Sequence, residues 1–105
     1  MIIWLIGLSG SGKTTTGTLV YKKLKKKNRS VVFIDGDDIR KLWNDNLGYT
    51  LKEREKNASR VSNFCKFLDS QGIDVVASIL SNFPKWQKWN RENFSHYFQV
   101  YLDVP

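Results

Sequence analysis

The stretch Ile2-Ile3-Trp4-Leu5-Ile6-Gly7-Leu8-Ser9-Gly10-Ser11-Gly12-Lys13-Thr14 begins as an apolar run and breaks into glycines, a lysine and a hydroxyl residue. Ile2 to Ile6 carry no charge and are rich in β-branched side chains, as expected of a buried strand. From about Gly12 to Lys27, Leu19, Val20 and Leu24 fall on one stripe of a helix. Between strand and helix, Gly7–Thr14 fits the pattern Gly, four residues, Gly, Lys, Ser/Thr. That pattern arises by chance at about 3 × 10⁻⁵ per starting position, and its place between strand and helix makes chance a poorer explanation still. The chemistry asks for each part. Phosphate oxygens crowd the backbone where the loop curls, so side chains must be absent there. Successive amides then form an anion nest, and the helix adds its unpaired N-terminal N–H groups. Lys13 has the reach for β and γ phosphates, and the Thr14 hydroxyl suits Mg²⁺. The expected phosphate cradle is therefore Gly7, Leu8, Ser9, Gly10, Ser11, Gly12, Lys13, Thr14 and Thr15, with ATP and Mg²⁺ as cofactors.

Working outward, Ser30 to Ile34 form a second apolar run, closed by Asp35-Gly36-Asp37. A short helix follows, with Ile39 and Leu42-Trp43 spaced for one face and a stop near Gly48. Thr50-Leu51-Lys52-Glu53 has the form of a capping box. The helix it opens carries Val61, Phe64, Cys65 and Leu68 on one face and ends at Gly72. Ile73 to Leu80 is a third strand. Pro84 suits the first turn of another helix, with Trp86, Trp89 and Phe94 facing inward, and Tyr97 to Leu102 is a fourth strand. Strands alternating with helices predict βαβ units. The fold class expected is α/β, a P-loop NTPase-like three-layer α/β/α arrangement with a mostly parallel sheet of about four strands.

The bulk properties fit one such domain over residues 1–105. Apolar residues make up 41% and charged residues 26%, an ordinary globular balance. No apolar run is long enough to cross a bilayer, and Ile2 to Ile6 are too short for a signal-peptide core. The expectation is a soluble cytoplasmic protein without a membrane partner. Cys65 is the single cysteine and reads as core, which excludes an internal disulfide. The net charge of +7 comes from 17 Lys and Arg against 10 Asp and Glu. Much of the excess lies in Lys22, Lys23, Lys25, Lys26, Lys27 and Arg29, read as a solvated helix end whose dipole favours cations. No recognition helix or base-stacking pattern accompanies it, so no nucleic-acid partner is expected. His96 has no ligand partners beside it.

A second constellation, Asp35-Gly36-Asp37-Asp38-Ile39-Arg40, follows the second strand. In open α/β sheets ligands sit beyond the carboxyl ends of strands. A carboxylate there can orient or deprotonate an attacking hydroxyl, and Asp37 is the candidate. The alternative is that Asp37 or Asp38 caps the short helix. Arg40 lies about one turn after Asp37, so both can face one ligand. Arg54, Asn57 and Arg60 recur every three residues, a stripe that is usually solvated but also suits an anionic ligand. Tyr49, just ahead of them, has a ring suited to stacking on a base.

The ordered set of Gly7–Thr14, Ile34–Arg40, Asn46-Leu47-Gly48-Tyr49-Thr50, Glu53-Arg54-Glu55-Lys56-Asn57 and Val100–Pro105 resembles the adenylylsulfate kinases across nearly the whole chain. The resemblance implies transfer of the γ-phosphate of ATP to the 3′-hydroxyl of adenylyl sulfate, a nucleotide acceptor as partner, and a role in sulfate assimilation. It makes Asp37 the catalytic base, Lys13 a catalytic phosphate contact and Thr14 the metal contact. Arg40, Arg54 and Asn57 would hold the acceptor, and Tyr49 would stack on its adenine. Ser81 matches a serine sometimes assigned as a phosphoserine intermediate, although in-line transfer needs no covalent step. A homodimer is compatible with the resemblance.

Two features depart from the family pattern. Ser81-Asn82-Phe83-Pro84 stands where the family usually reads Ser-Pro-Tyr-Arg. That loop, with Trp89-Asn90-Arg91-Glu92-Asn93, looks more like a divergent branch that includes cytidine diphosphoramidate kinases. The chain also stops directly after a strand, at Asp103-Val104-Pro105. The expectation is a domain incomplete at its C-terminus, missing a lid and a last strand, which would leave a nucleotide-binding module of low turnover.

Overall fold

The computed structural model describes residues 1–7, 13–27, 29–79 and 83–102, with Lys13 and Thr14 described by their backbone alone. The first strand, β1 (Ile2–Ile6), is buried except at the half-buried Ile3, because it lies inside the sheet rather than at an edge. It is followed by α1 (Lys13–Lys26), β2 (Val31–Asp35), α2 (Gly36–Leu42), α3 (Leu51–Ser70), β3 (Asp74–Ile79), α4 (Pro84–Asn93) and β4 (Tyr97–Tyr101). The sheet order is β2-β3-β1-β4, and every pairing is parallel. Ile2 lies between Val75 and Tyr97, and Ile6 between Ile79 and Tyr101. This is the α/β sheet that the alternating pattern predicts.

Side-chain alternation divides the core in two. Ile2, Trp4 and Ile6 join Val75, Ala77 and Ile79 on one face, where Ile39 of α2 and Val61, Cys65 and Leu68 of α3 cover them. Leu5, Val31 and Val76 point to the other face, against Val20, Tyr21 and Leu24 of α1. The sheet therefore carries helices on both sides. A Cβ at Gly17 would stand 2.5 Å from Phe33 Cε2, so the absence of a side chain lets α1 lie close to the sheet.

Several local expectations are met. Thr50 and Glu53 form the reciprocal capping box at the start of α3. Gly72 ends that helix region with φ 74, and Pro84 occupies the first turn of α4. Others are corrected. Leu19 is exposed, because Tyr21 rather than Leu19 completes the stripe with Val20 and Leu24. Leu42 and Trp43 are likewise exposed, and α2 ends at Leu42, well before Gly48. Asn44 and Asp45 take left-handed φ values of 56 and 51. Short polar side chains tolerate that conformation, so the turn is made there. Phe94 is buried as the residue capping α4 rather than within it, while the half-buried Trp86 and Trp89 rings meet at a tilt of 59° with centroids 5.7 Å apart.

Candidate functional site at the carboxyl ends of the strands

Gly7 directly follows β1, Asp35 and Ile79 end the neighbouring parallel strands β2 and β3, and the Gly7 amide donates to the Ile79 carbonyl at 3.3 Å. The chain leaves β1 at Gly7 and re-enters regular structure at Lys13, the first residue of α1. Leu8, Ser9, Gly10, Ser11, Gly12 and Ser81 lie outside the described residues, and Thr15 is exposed. The described part fits a phosphate group. The first turn of α1 holds no acidic residue, so the positive end of its dipole meets no competing carboxylate.

Beyond β2, Asp35 is the N-cap of α2. Its carboxylate accepts the Asp38 amide at 2.9 Å, and the Asp38 carboxylate accepts the Asp35 amide at 3.0 Å. The capping alternative for Asp37 or Asp38 is corrected accordingly. The strand ends at Asp35, which puts that residue at the cap position and Asp38 at the third helical position. Asp37 is left exposed, with no described hydrogen bond or ion pair of its own.

Arg40, on the same helix, turns away from solvent and is only 7% exposed. Its Nη1 donates to the carbonyls of Leu47 at 3.2 Å and Gly48 at 2.8 Å. Its guanidinium carbon lies 4.1 Å from the centroid of the Tyr49 ring. Tyr49 itself is 67% exposed. The loop is held from α3 as well. Glu53 accepts the Gly48 amide at 2.6 Å and the Thr50 hydroxyl at 2.8 Å. Those donors, the Gly48 amide first, hold the Glu53 carboxyl below the usual range. Arg60 donates to Asn46 Oδ1 at 2.8 Å and lies over the Trp43 ring at 4.8 Å. A Cβ at Gly48 would sit 2.9 Å from Glu53 Oε1, so a larger residue there would displace the Glu53 carboxylate. The capping-box spacing signalled Glu53 only as a helix cap, and the structure adds its hold on Gly48.

Arg54 and Asn57 are not part of a solvated stripe. Asn57 is buried, and its Nδ2 donates to the Gly36 carbonyl at 3.1 Å. That bond fixes the amide orientation and leaves Oδ1 as an acceptor. Asn57 Oδ1 and Arg54 Nε are buried without a hydrogen-bond partner among the described residues. An unmatched acceptor and an unmatched donor, one turn apart, are costly in an empty protein and useful when a ligand supplies both halves. Elsewhere, Cys65 is buried and its thiol is pushed up by desolvation, and His96 is exposed. The described residues hold no cluster of three or more metal-ligating side chains, and no described helix is long and apolar enough to cross a membrane.

Known proteins resemble this chain along nearly its whole length. The chain is 37% identical over 102 residues to the cytidine diphosphoramidate kinase of Campylobacter jejuni, covering 97% of this chain and 59% of that protein. It is 33% identical over 106 residues to the adenylyl-sulfate kinase of Pseudomonas aeruginosa, covering 99% and 54%. The solved Mycobacterium tuberculosis APS kinase CysC in complex with AMPPNP and APS superposes with a TM-score of 0.86 at 31% identity. That match covers 99% of this chain and 62% of the solved one. The chain thus spans little more than half the length of these two curated relatives. The sequence model described as adenylylsulphate kinase matches residues 1–105, and with the parallel α/β sheet in agreement, the chain belongs to the adenylylsulphate kinase family.

Proposed function

We propose that this chain binds Mg·ATP and a small nucleotide acceptor, and that it takes part in transferring the γ-phosphate to the 3′-hydroxyl of adenylyl sulfate. The observation that carries the reading is the unmatched pair, Arg54 Nε and Asn57 Oδ1. The amide of Asn57 is tied to Gly36, at the carboxyl end of β2. Bound ATP supplies the transferable phosphoryl group, and Mg²⁺ neutralises its oxygens. In this reading Gly7 to Thr15 hold the phosphates, Lys13 contacts them and Thr14 meets the metal. Asp37, the carboxylate left out of the α2 cap, orients the acceptor hydroxyl and takes its proton. Arg54 donates to the acceptor, Asn57 accepts from it, and the Tyr49 ring stacks on its base. Ser81, two residues after β3 in the sequence, needs no covalent role.

Cytidine diphosphoramidate is the second reading for the acceptor. The 37% identity to a kinase of that name and the Ser81-Asn82-Phe83-Pro84 departure favour it. The purified protein, supplied with Mg·ATP and each acceptor in turn, decides between the two. Lys13→Ala and Asp37→Ala are expected each to lower kcat at least about 100-fold. Transfer to cytidine diphosphoramidate alone moves the acceptor. No ATP uptake by calorimetry, or full turnover in both variants, removes the proposed function.

A further inference from the structure

We infer that the outer edge of β4 is a self-association surface, where Tyr97–Tyr101 pairs antiparallel with the same strand of a second copy across a two-fold axis at Gln99. The strand closes one end of the sheet order β2-β3-β1-β4, and among the described residues nothing pairs with its outer side. Edge strands are commonly blunted by charge or proline. Tyr97-Phe98-Gln99-Val100-Tyr101 carries neither. Phe98 is 53% exposed, Val100 38% and Tyr101 53%. At the opposite edge, β2 leaves no residue exposed. The difference comes from α1, which packs mainly on β2 and β3 and leaves the Phe98 and Val100 side of β4 open.

The backbone sets the register. The Ile2 amide donates to the His96 carbonyl at 2.7 Å, and the Leu102 amide to the Ile6 carbonyl at 2.8 Å. Successive residues of a strand turn their N–H and C=O groups to alternate sides, so Phe98 and Val100 bond inward to β1. Tyr97, Gln99 and Tyr101 turn theirs outward. A two-fold at Gln99 sets Gln99 against its own copy and Tyr97 against Tyr101 of the second copy, and each outward amide meets an outward carbonyl. Phe98 then lies opposite Val100 in the closer, non-hydrogen-bonded pairs. The strand reads nearly the same in both directions: tyrosine, apolar, glutamine, apolar, tyrosine. Every cross-strand pair therefore joins like with like, which favours a second copy over an unrelated strand. The edge is also ordered in advance. The Tyr97 hydroxyl donates to Gln99 Oε1 at 2.6 Å, and Gln99 Nε2 donates to the Tyr101 hydroxyl at 2.9 Å, which lowers the entropy lost on pairing. Arg91 donates to the same Gln99 Oε1 at 3.3 Å, so pairing brings like charges near the axis and tightens as salt screens them. Antiparallel pairing points the carboxyl ends of the two sheets in opposite directions, and both candidate sites stay open.

Sedimentation of the protein over a wide concentration range, with amide hydrogen exchange at Gln99 and Tyr101, tests the inference. A five-residue strand pair lies at the small end of specific interfaces, so a reversible dimer with a Kd of about 10–100 μM is expected, tighter at high salt. Exchange protection at Gln99 and Tyr101 is expected to rise with protein concentration. Phe98→Lys and Gln99→Pro are each expected to raise the dimer Kd at least about 10-fold, with ATP binding unchanged. If Gln99→Pro fails to fold, Phe98→Lys, at an exposed position, carries the test. Gln99→Cys is expected to give a disulfide-linked dimer on oxidation and Tyr97→Cys is not, because only residue 99 faces itself. A monomer at every concentration, or a dimer that neither Phe98→Lys nor Gln99→Pro weakens, overturns the inference. Protection of Gln99 in the monomer overturns it too, since a segment of the same molecule would then occupy the edge. Growth beyond a dimer through this strand does the same, because a two-fold pair closes on itself.

Discussion

An unmatched donor and acceptor inside a protein of marginal stability mark a trade between stability and binding. Arg54 Nε and Asn57 Oδ1 each forgo a hydrogen bond among the described residues, at a cost of about 1–3 kcal/mol for a typical buried polar group. Arg54→Met keeps the length of the side chain and removes the unmatched donor. Thermal denaturation is expected to show an unchanged or higher midpoint, while the acceptor Kd rises about 10-fold or more. A clear drop in midpoint would show that Arg54 is structural. The spacing of Arg54, Asn57 and Arg60 put all three on one helical face but gave no hint of depth. Asn57 is buried because α2 packs over it and offers the Gly36 carbonyl. Burial of a polar residue is decided by a partner distant in sequence, and periodicity does not report that. The glycine-lysine-threonine run is a local pattern that the sequence alone displays, and residues 8–12 of it lie outside the described residues.

Helix ends show the same division between local and distant causes. Thr50 and Glu53 cap α3 as their spacing predicts, since both halves of that box lie within four residues. Asp35-Gly36-Asp37-Asp38 offers three carboxylates for one cap, and only the end of β2 selects Asp35. The Asp35–Asp38 spacing was a usable signal, since a cap and the third helical position stand three apart. At α1 the decisive contact is Gly17 against the sheet. Gly17→Ala would place a methyl 2.5 Å from Phe33 Cε2 and 3.3 Å from Leu5 Cδ1. Such overpacking is expected to destabilise the fold by about 1–3 kcal/mol in chemical denaturation. Phe33→Leu in the same chain should recover part of the loss. No recovery would place the strain elsewhere on α1.

At the scale of the whole molecule, Asp69 ties the end of α3 to the link between α4 and β4. It accepts the Ser95 amide at 2.8 Å and hydroxyl at 2.7 Å, and the Met1 amino group lies 3.1 Å away. Burial pushes its carboxyl up, but those donors outweigh burial and hold it below the ordinary range. Asp74, beside Arg29, is held down as well, chiefly by the hydrogen bond from that guanidinium. A depressed carboxyl contributes stability above the unfolded value near pH 4, and loses it as pH falls through the folded value. Melting temperature is therefore expected to drop below about pH 4, and Asp69→Asn should flatten that fall. An unchanged acid limb in the variant would assign the loss to other groups. The alternation of strands and helices made the parallel sheet legible, but not its order, because pattern tells which faces are buried and not which strands are neighbours. The order β2-β3-β1-β4 has a consequence for synthesis. β1 is made before both its partners, Asp74–Ile79 and Tyr97–Tyr101. Throughout that interval the nascent Ile2–Ile6 segment has no sheet to join and stays an unpaired apolar ribbon until β3 arrives.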